Sequence, residues 1–361
     1  MLKRIWILTG LLLLFLTGSI ALNQINNQMQ PAKLRILCAG SLLYPLERVA
    51  EAYMVDNPRV TVEVEGHGSI QVIRHITELH DSADLLLVAD YGLIPLMMYN
   101  VTEPESDEPY SDFYIRFAGN RVVLAYTDSS RYADEVNSSN WYEVLGRDGV
   151  KYGAPNPLID ALGYRALMML QLAESYYDEP SIFDKLYGFN FHPDFETVQI
   201  PGKTVIFVPD VQKPINDKVT LRASSIQLAP LLDSGSLDYC ILYESNARQY
   251  GYRYVELPAE IDLGSDAMFE SYAKVEVRFL HARYGSIGLD RPGNVIHYGL
   301  TIPVNAPNPG EAERFTSYLL KGEGKEVFNS LWHPIYEEVY TDYPGNLPDS
   351  LVTLVEKDAT G

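Results

Sequence analysis

Apolar residues fall in short blocks along this chain, and the blocks alternate between two periods. LRILCAG, residues 34–40, is an unbroken apolar run closed by glycine, the pattern of a buried strand. Ser41 then opens a stretch in which Leu46, Val49, Ala50, Tyr53 and Met54 recur at helical spacing until Asn57-Pro58 stops it. VTVEVEG, residues 60–66, alternates like a strand, and Gly68-Ser69 opens IQVIRHITEL, which is helical again. ADLLLVAD, residues 83–90, reads as a third buried strand. Strand, helix, strand, helix, strand at this density predicts an α/β unit with a parallel sheet.

YIRFAGNRVVLAYT, residues 114–127, predicts a strand pair, and NWYEVL and GYRALMMLQLAESYY (163–177) predict helices. Residues 178–218 are rich in Pro, Gly and aromatics with weak periodicity. TLRASSIQLAPLLDSG reads as a helix feeding the strand LDYCILYES. VIHYGLTIPV (295–304) reads as a strand, 310–320 as a helix and PIYEEVYTDYPGNLPDSL as loop. The expected fold class is therefore α/β with two lobes joined by crossing strands. Residues 34–118 and 258–361 would form the first lobe and 119–257 the second.

Charge narrows the partners. Lysine and arginine total 28 against 48 aspartates and glutamates, a net charge of -20. Such a surface repels phosphate backbones, so no nucleic-acid partner is expected. Lys3 and Arg4 precede an apolar run over residues 5–22 that ends in small residues, the pattern of a signal peptide or an N-terminal membrane anchor. Residues 23–33 follow as a polar tether. The remainder is expected outside the cell membrane, secreted or anchored to its outer face, and the acceptor patterns at Asn100 and Asn137 fit export. Cys38 and Cys240, the two cysteines, sit in apolar runs and read as small buried hydrophobes.

Chemistry concentrates at strand-to-helix corners. Gly40-Ser41 and Gly68-Ser69 each stand where a strand ends and a helix begins. Glycine admits close approach, unpaired helical N–H groups point outward, and the serine hydroxyl adds a neutral donor. Aimed at one cleft, two such corners cradle an oxyanion without lysine or arginine, whereas each serine taken singly reads as an ordinary helix cap. Asp160 stands before ALGYRALM as a further helix start, and Glu244 ends the strand DYCILY. No HExxH, GxSxG, GxxxxGK[ST] or strand-placed GxGxxG occurs, and no thiolate cluster is available. His67, beside the second corner, is the histidine nearest candidate chemistry. Asp160 with His67 as acid and base would be the enzymatic alternative.

AGSLLYPLE, EGHGSIQVIRHITEL, ADLLLVADYGLI, FAGNRVVLAYT, NPLIDALGYRALMMLQLAESYY, LDYCILYESNARQYGYRYVELPAEIDL and HYGLTIPVNAPNPGEAERFTSYLL resemble, in order, the archaeal-type tungstate/molybdate-binding proteins of ABC importers. The resemblance spans residues 34–335. It implies the two-lobed periplasmic-binding-protein-like (type II) fold, with tungstate or molybdate clamped between the lobes as transported ligand. It also implies no catalysis, no cofactor, delivery to a membrane permease, and a monomer. Carried over by motif, Ser41 and Ser69 would donate to the oxo groups with the backbone of Gly40 and Gly68. Asp160, in NPxxDxxGYR, and Glu244, the acid beyond Tyr239, would bond the metal centre. Departures are Ala161-Leu162, Asn246 for a frequent valine, and Leu242 where some relatives carry the glutamate.

The physics gives that pair of acids a purpose. Two like charges about 4 Å apart cost about 4 kcal/mol at an effective dielectric near 20, so an ionised carboxylate is a poor neighbour for an anion. Bonding to tungsten or molybdenum would remove the conflict and, as the resemblance implies, bring four oxo groups to six-coordination. Sulfur in sulfate is too small for this. A receptor for sulfate, phosphate or another anion, and a sensor ectodomain, remain the other readings.

Overall fold

The computed structural model describes residues 32–280 and 290–357. The apolar N-terminal segment and the tether up to residue 31 lie outside them. No helix among the described residues is long and apolar enough to cross a membrane.

The first three strands, β1 (Ala32–Ala39), β2 (Val60–His67) and β3 (Leu85–Val88), are parallel, with β1 in the middle. Helix α1 (Leu43–Asp56) follows β1 and α2 (Ser69–Thr77) follows β2, as the spacing predicts. The register pairs Ala39 with His67, so the Gly40 and Gly68 corners emerge side by side. Strand β4 (Ile115–Gly119) joins this sheet, whereas β5 (Val122–Tyr126) belongs to another, so the predicted strand pair is the crossing between sheets.

The second sheet takes β5 with β6 (Tyr152–Pro155). Then come β7 (Phe191–His192), β8 (Glu196–Ile200), β9 (Lys203–Val208) and β10 (Lys213–Pro214), followed by β11 (Val219–Arg222), β12 (Tyr239–Tyr243) and β13 (Arg253–Glu256). Its five strands run in the order β11-β6-β12-β5-β13, with β11, β6 and β12 parallel. Their three C-terminal ends therefore share one edge. Helix α3 (Ala161–Tyr177) packs on this sheet. Every residue from Ala161 to Ala173 in it is buried, as its nearly continuous apolar sequence requires.

Four expectations change. The aromatic-rich stretch 178–218 supplies β8 and β9 to a separate four-stranded sheet, β15-β14-β9-β8, with β14 (Val275–Phe279) and β15 (Asp290–Pro292). The first-lobe range 258–361 takes in β14 and β15, but β14 pairs in parallel with β9 and packs against α3. VEVRF alternates like any half-buried strand, and alternation names no partner. The chain rejoins the first sheet at β16 (His297–Thr301). The C-terminal "loop" contributes β17 (Ile335–Thr341) and β18 (Val355–Lys357) to that sheet, completing the order β18-β17-β4-β16-β3-β1-β2. Tyrosines and paired glutamates in IYEEVYT mask its alternation. Finally, TLR in the expected helix TLRASSIQ is strand β11, and a short turn over Ser225–Gln227 follows it.

Candidate functional site

The C-terminal ends of the two parallel strand sets face each other, and the lobes meet there. Glycine makes this possible at two points. A Cβ on Gly40 would lie 2.2 Å from the Ser224 hydroxyl oxygen, and one on Gly68 would lie 2.4 Å from the Ile159 carbonyl oxygen and 2.9 Å from that of Ala223. Ser224, Ile159 and Ala223 all belong to the second lobe, so the two glycines are the clearance that lets the lobes touch.

Ser41 is buried, and its hydroxyl makes no well-formed hydrogen bond, although the Tyr298 hydroxyl lies within its reach. Its carbonyl is held from across the cleft by Asn246 Nδ2 (3.1 Å) and from within its own lobe by His333 Nε2 (3.1 Å). Ser224, also buried, likewise has an unpartnered hydroxyl. Two buried hydroxyls left open, one from each lobe, cost free energy unless something accepts from them. The Ser69 oxygen accepts from Ala89 N–H at 3.1 Å, which leaves its own proton to donate. The helical N–H groups behind Ser69, which the sequence suggested were free, are engaged. Ile70 and Gln71 N–H donate to the Ile159 carbonyl at 3.1 and 3.3 Å, tying the lobes together.

Asp160 caps α3, accepting from Leu162 N–H at 2.8 Å. Burial pushes its carboxyl up to about 6, against the pull of the Leu162 N–H, the Arg165 charge and the Ser225 N–H. The acid thus sits between the start of α3 and the Ser224-Ser225 corner. Arg165, one turn further along α3, is itself buried. It donates to the Ala89 carbonyl (2.6 Å) and the Tyr243 hydroxyl (2.7 Å), and approaches Asp90 at 3.6 Å.

Glu244 is engaged differently. Its carboxylate takes Arg121 Nε at 2.5 Å, Arg248 Nε at 2.7 Å and the Tyr254 hydroxyl at 3.1 Å. Burial would raise its carboxyl, but the two guanidinium groups outweigh that and hold it below the usual carboxylate range. It lines a cavity of about 560 Å³ with Arg121, Arg248, Asp266, His297 and Trp332. Tyr243, the last residue of β12, turns its hydroxyl to Arg165, whereas Glu244 opens the short helix Glu244–Gln249, where Arg248 one turn on pairs with it. Leu242, on the other face of β12 from Tyr243, packs against Val123, Leu228 and Leu232.

The structure therefore brings Gly40, Ser41, Gly68, Ser69 and Asp160 to one cluster and adds Ser224, Asn246 and Arg165. Ser224 carries a sequence signal, a Ser-Ser pair between strand and turn, which the helical spacing expected over TLRASSIQ obscures. His67, the proposed partner of Asp160 in an enzyme, instead contacts Glu65 at 2.9 Å. Both cysteines are free and buried.

Comparison with known proteins bears on the family and the fold. The family model for bacterial extracellular solute-binding proteins matches residues 34–330. A solute-binding protein of Methanoculleus marisnigri is 37% identical over 91% of this chain and 88% of its own length. The molybdate/tungstate-binding protein WtpA of Thermococcus kodakarensis is 35% identical over 97% of this chain and 96% of its own. Among solved structures, the periplasmic molybdate-binding protein of Azotobacter vinelandii covers 84% of this chain with all of its own, at a TM-score of 0.55 and 15% identity, a likeness of fold. By sequence over most of its length and by its two-lobed fold, the chain belongs to the extracellular solute-binding protein family.

Proposed function

We propose that this protein is the extracytoplasmic receptor of an ABC importer and that it captures tungstate or molybdate between its lobes. The observation that carries the reading is the pair of buried, unpartnered hydroxyls, Ser41 and Ser224, on facing corners. With Ser69 they offer neutral donors to a tetrahedral oxyanion. Each hydrogen bond to a charged ligand is worth about 1.5–3 kcal/mol net. The names of the WtpA relatives supply the ligand class. Asp160 is the one acid of the cluster, and we assign it the bond to the metal centre. With Glu244 held by two arginines, that gives five-coordination in place of six.

Isothermal titration with tungstate, molybdate and sulfate tests this. Tungstate and molybdate should bind far more tightly than sulfate. Their affinity should rise as pH passes about 6, because only ionised Asp160 can bond a metal. Equal affinity for sulfate would overturn the ligand assignment.

One observation favours a second reading. A buried acid that protonates near pH 6 can also donate to an anion. A receptor for sulfate or phosphate would then lose affinity as pH rises through the same range.

A further inference from the structure

Behind the Gly68-Ser69 corner lies a group of side chains that the cleft does not use. Glu65 and His67 are two residues apart on β2 and share one face of it. His75, on α2, stacks its ring on that of His67 at 5.1 Å. One ligating atom from each of the three lies within 4.8 Å of the others. The side chains are partly exposed, 32% for His67, 41% for Glu65 and 20% for His75, so an ion can reach them. Yet His75 Nδ1 is buried and makes no hydrogen bond, although the Asp81 carboxylate is 3.3 Å away.

We propose that Glu65, His67 and His75 form a binding site for a divalent transition-metal ion, with zinc the best match. Two imidazoles and one carboxylate suit zinc, nickel, cobalt or copper, and do not suit calcium or magnesium, which take oxygen ligands. A tetrahedral ion with bonds of about 2.0–2.1 Å holds its donor atoms about 3.4 Å apart. Small side-chain rotations bring these three to that spacing. Asp81 or water completes the set.

The surroundings are those of a supported site. Arg35 takes the Glu65 Oε2 atom at 2.9 Å, leaving Oε1, which now faces His67, for the ion. With Asp81, the cluster carries two acids against one arginine, so a dication is not repelled. Bound there, the ion would tie β2 to α2 across the corner that carries Ser69.

The test uses tag-free, full-length protein stripped with chelator and titrated with zinc alone, so it does not depend on what the cleft binds. Calorimetry should give one equivalent at micromolar affinity or tighter, and cobalt should show the absorption of a four-coordinate ion. His67→Gln and His75→Gln should each weaken zinc at least about tenfold. Glu65→Gln should weaken it as well, and all three should keep the far-ultraviolet circular dichroism of the parent. No saturation at millimolar zinc, or unchanged affinity in both histidine variants, would overturn the site.

Discussion

The two sides of the cleft are built from the same strand-to-turn corner and use it in opposite ways. On the first lobe, Gly40 and Gly68 provide clearance, and the only side chains offered are the short serines beside them. On the second lobe, Ser224, Asp160 and Asn246 provide reach, and backbone carbonyls of Ile159 and Ala223 come forward into the space the glycines leave. Closure is thus a fit of projections into gaps. A substitution should have different consequences on the two sides. Filling a gap should oppose closure, whereas trimming a projection should cost only the contact it makes.

The largest effect is expected from filling a gap. Gly68→Val puts a Cβ within 2.4 Å of the Ile159 oxygen, a backbone atom that cannot rotate away. Overpacking costs about 1–3 kcal/mol, here in the closed form alone, which converts to about a tenfold to hundredfold loss of ligand affinity. The ligand-free melting temperature should hardly move. Small-angle scattering with saturating tungstate should show the variant remaining extended where the parent compacts. An affinity within twofold of the parent would show that the gap is not what closure uses.

Asp160 gives the next effect, and it is one of pH. Its carboxyl rises on folding from an ordinary 3.8 to about 6, so the folded form binds the proton more tightly. Stability from this group is complete below about pH 4 and is lost as pH rises through about 6. Asp160→Asn retains a good helix cap and removes the titration. Urea denaturation at pH 4.5 and 7.5 should show the parent losing on the order of 2 kcal/mol relative to the variant. A difference independent of pH would mean that the acid is solvated or paired.

Trimming a projection is milder. Ser224→Ala should weaken the ligand by about tenfold, the lower end for a hydrogen bond to a charged group. It should leave the free protein as stable or slightly more so, because the hydroxyl it deletes is buried without a partner. Loss of stability without loss of affinity would place Ser224 in the fold and outside the binding function.

The gaps could be read from the sequence more easily than the projections. Gly40-Ser41 and Gly68-Ser69 follow directly after strands in compact repeating units, where local pattern determines both the element and its neighbour. The projections depend on long-range pairing. Ser224 lies at the end of a four-residue strand whose partner, β6, is some seventy residues earlier, with the segment that supplies β8 and β9 between them. Nothing local marks TLR as strand and not helix. Asn246 was visible as a departure from a family pattern, but its bond to the Ser41 carbonyl spans the cleft and no spacing rule foretells it. Asp160 was legible as a cap, whereas its raised pKa required knowing that α3 is buried along nearly its whole length.

Glu244 sharpens the contrast most, because it is a projection assigned to the ligand by motif that instead faces two arginines. If Arg121 and Arg248 define its role, Glu244→Gln should change tungstate affinity by less than about twofold. It should cost at most about 1 kcal/mol of stability for the weakened ion pairs at a half-buried site. The variant also tests the alternative cleanly, since glutamine keeps the shape and loses only the charge. A carboxylate that left its arginines to bond the metal would do so only in the liganded form. The amide would then lower tungstate affinity by tenfold or more while leaving sulfate untouched. That result would restore six-coordination and make Glu244 a residue that the ligand draws into the cleft. A silent variant would leave Asp160 as the only acid in contact with the metal, and the coordination number of the bound centre by X-ray absorption should then be five.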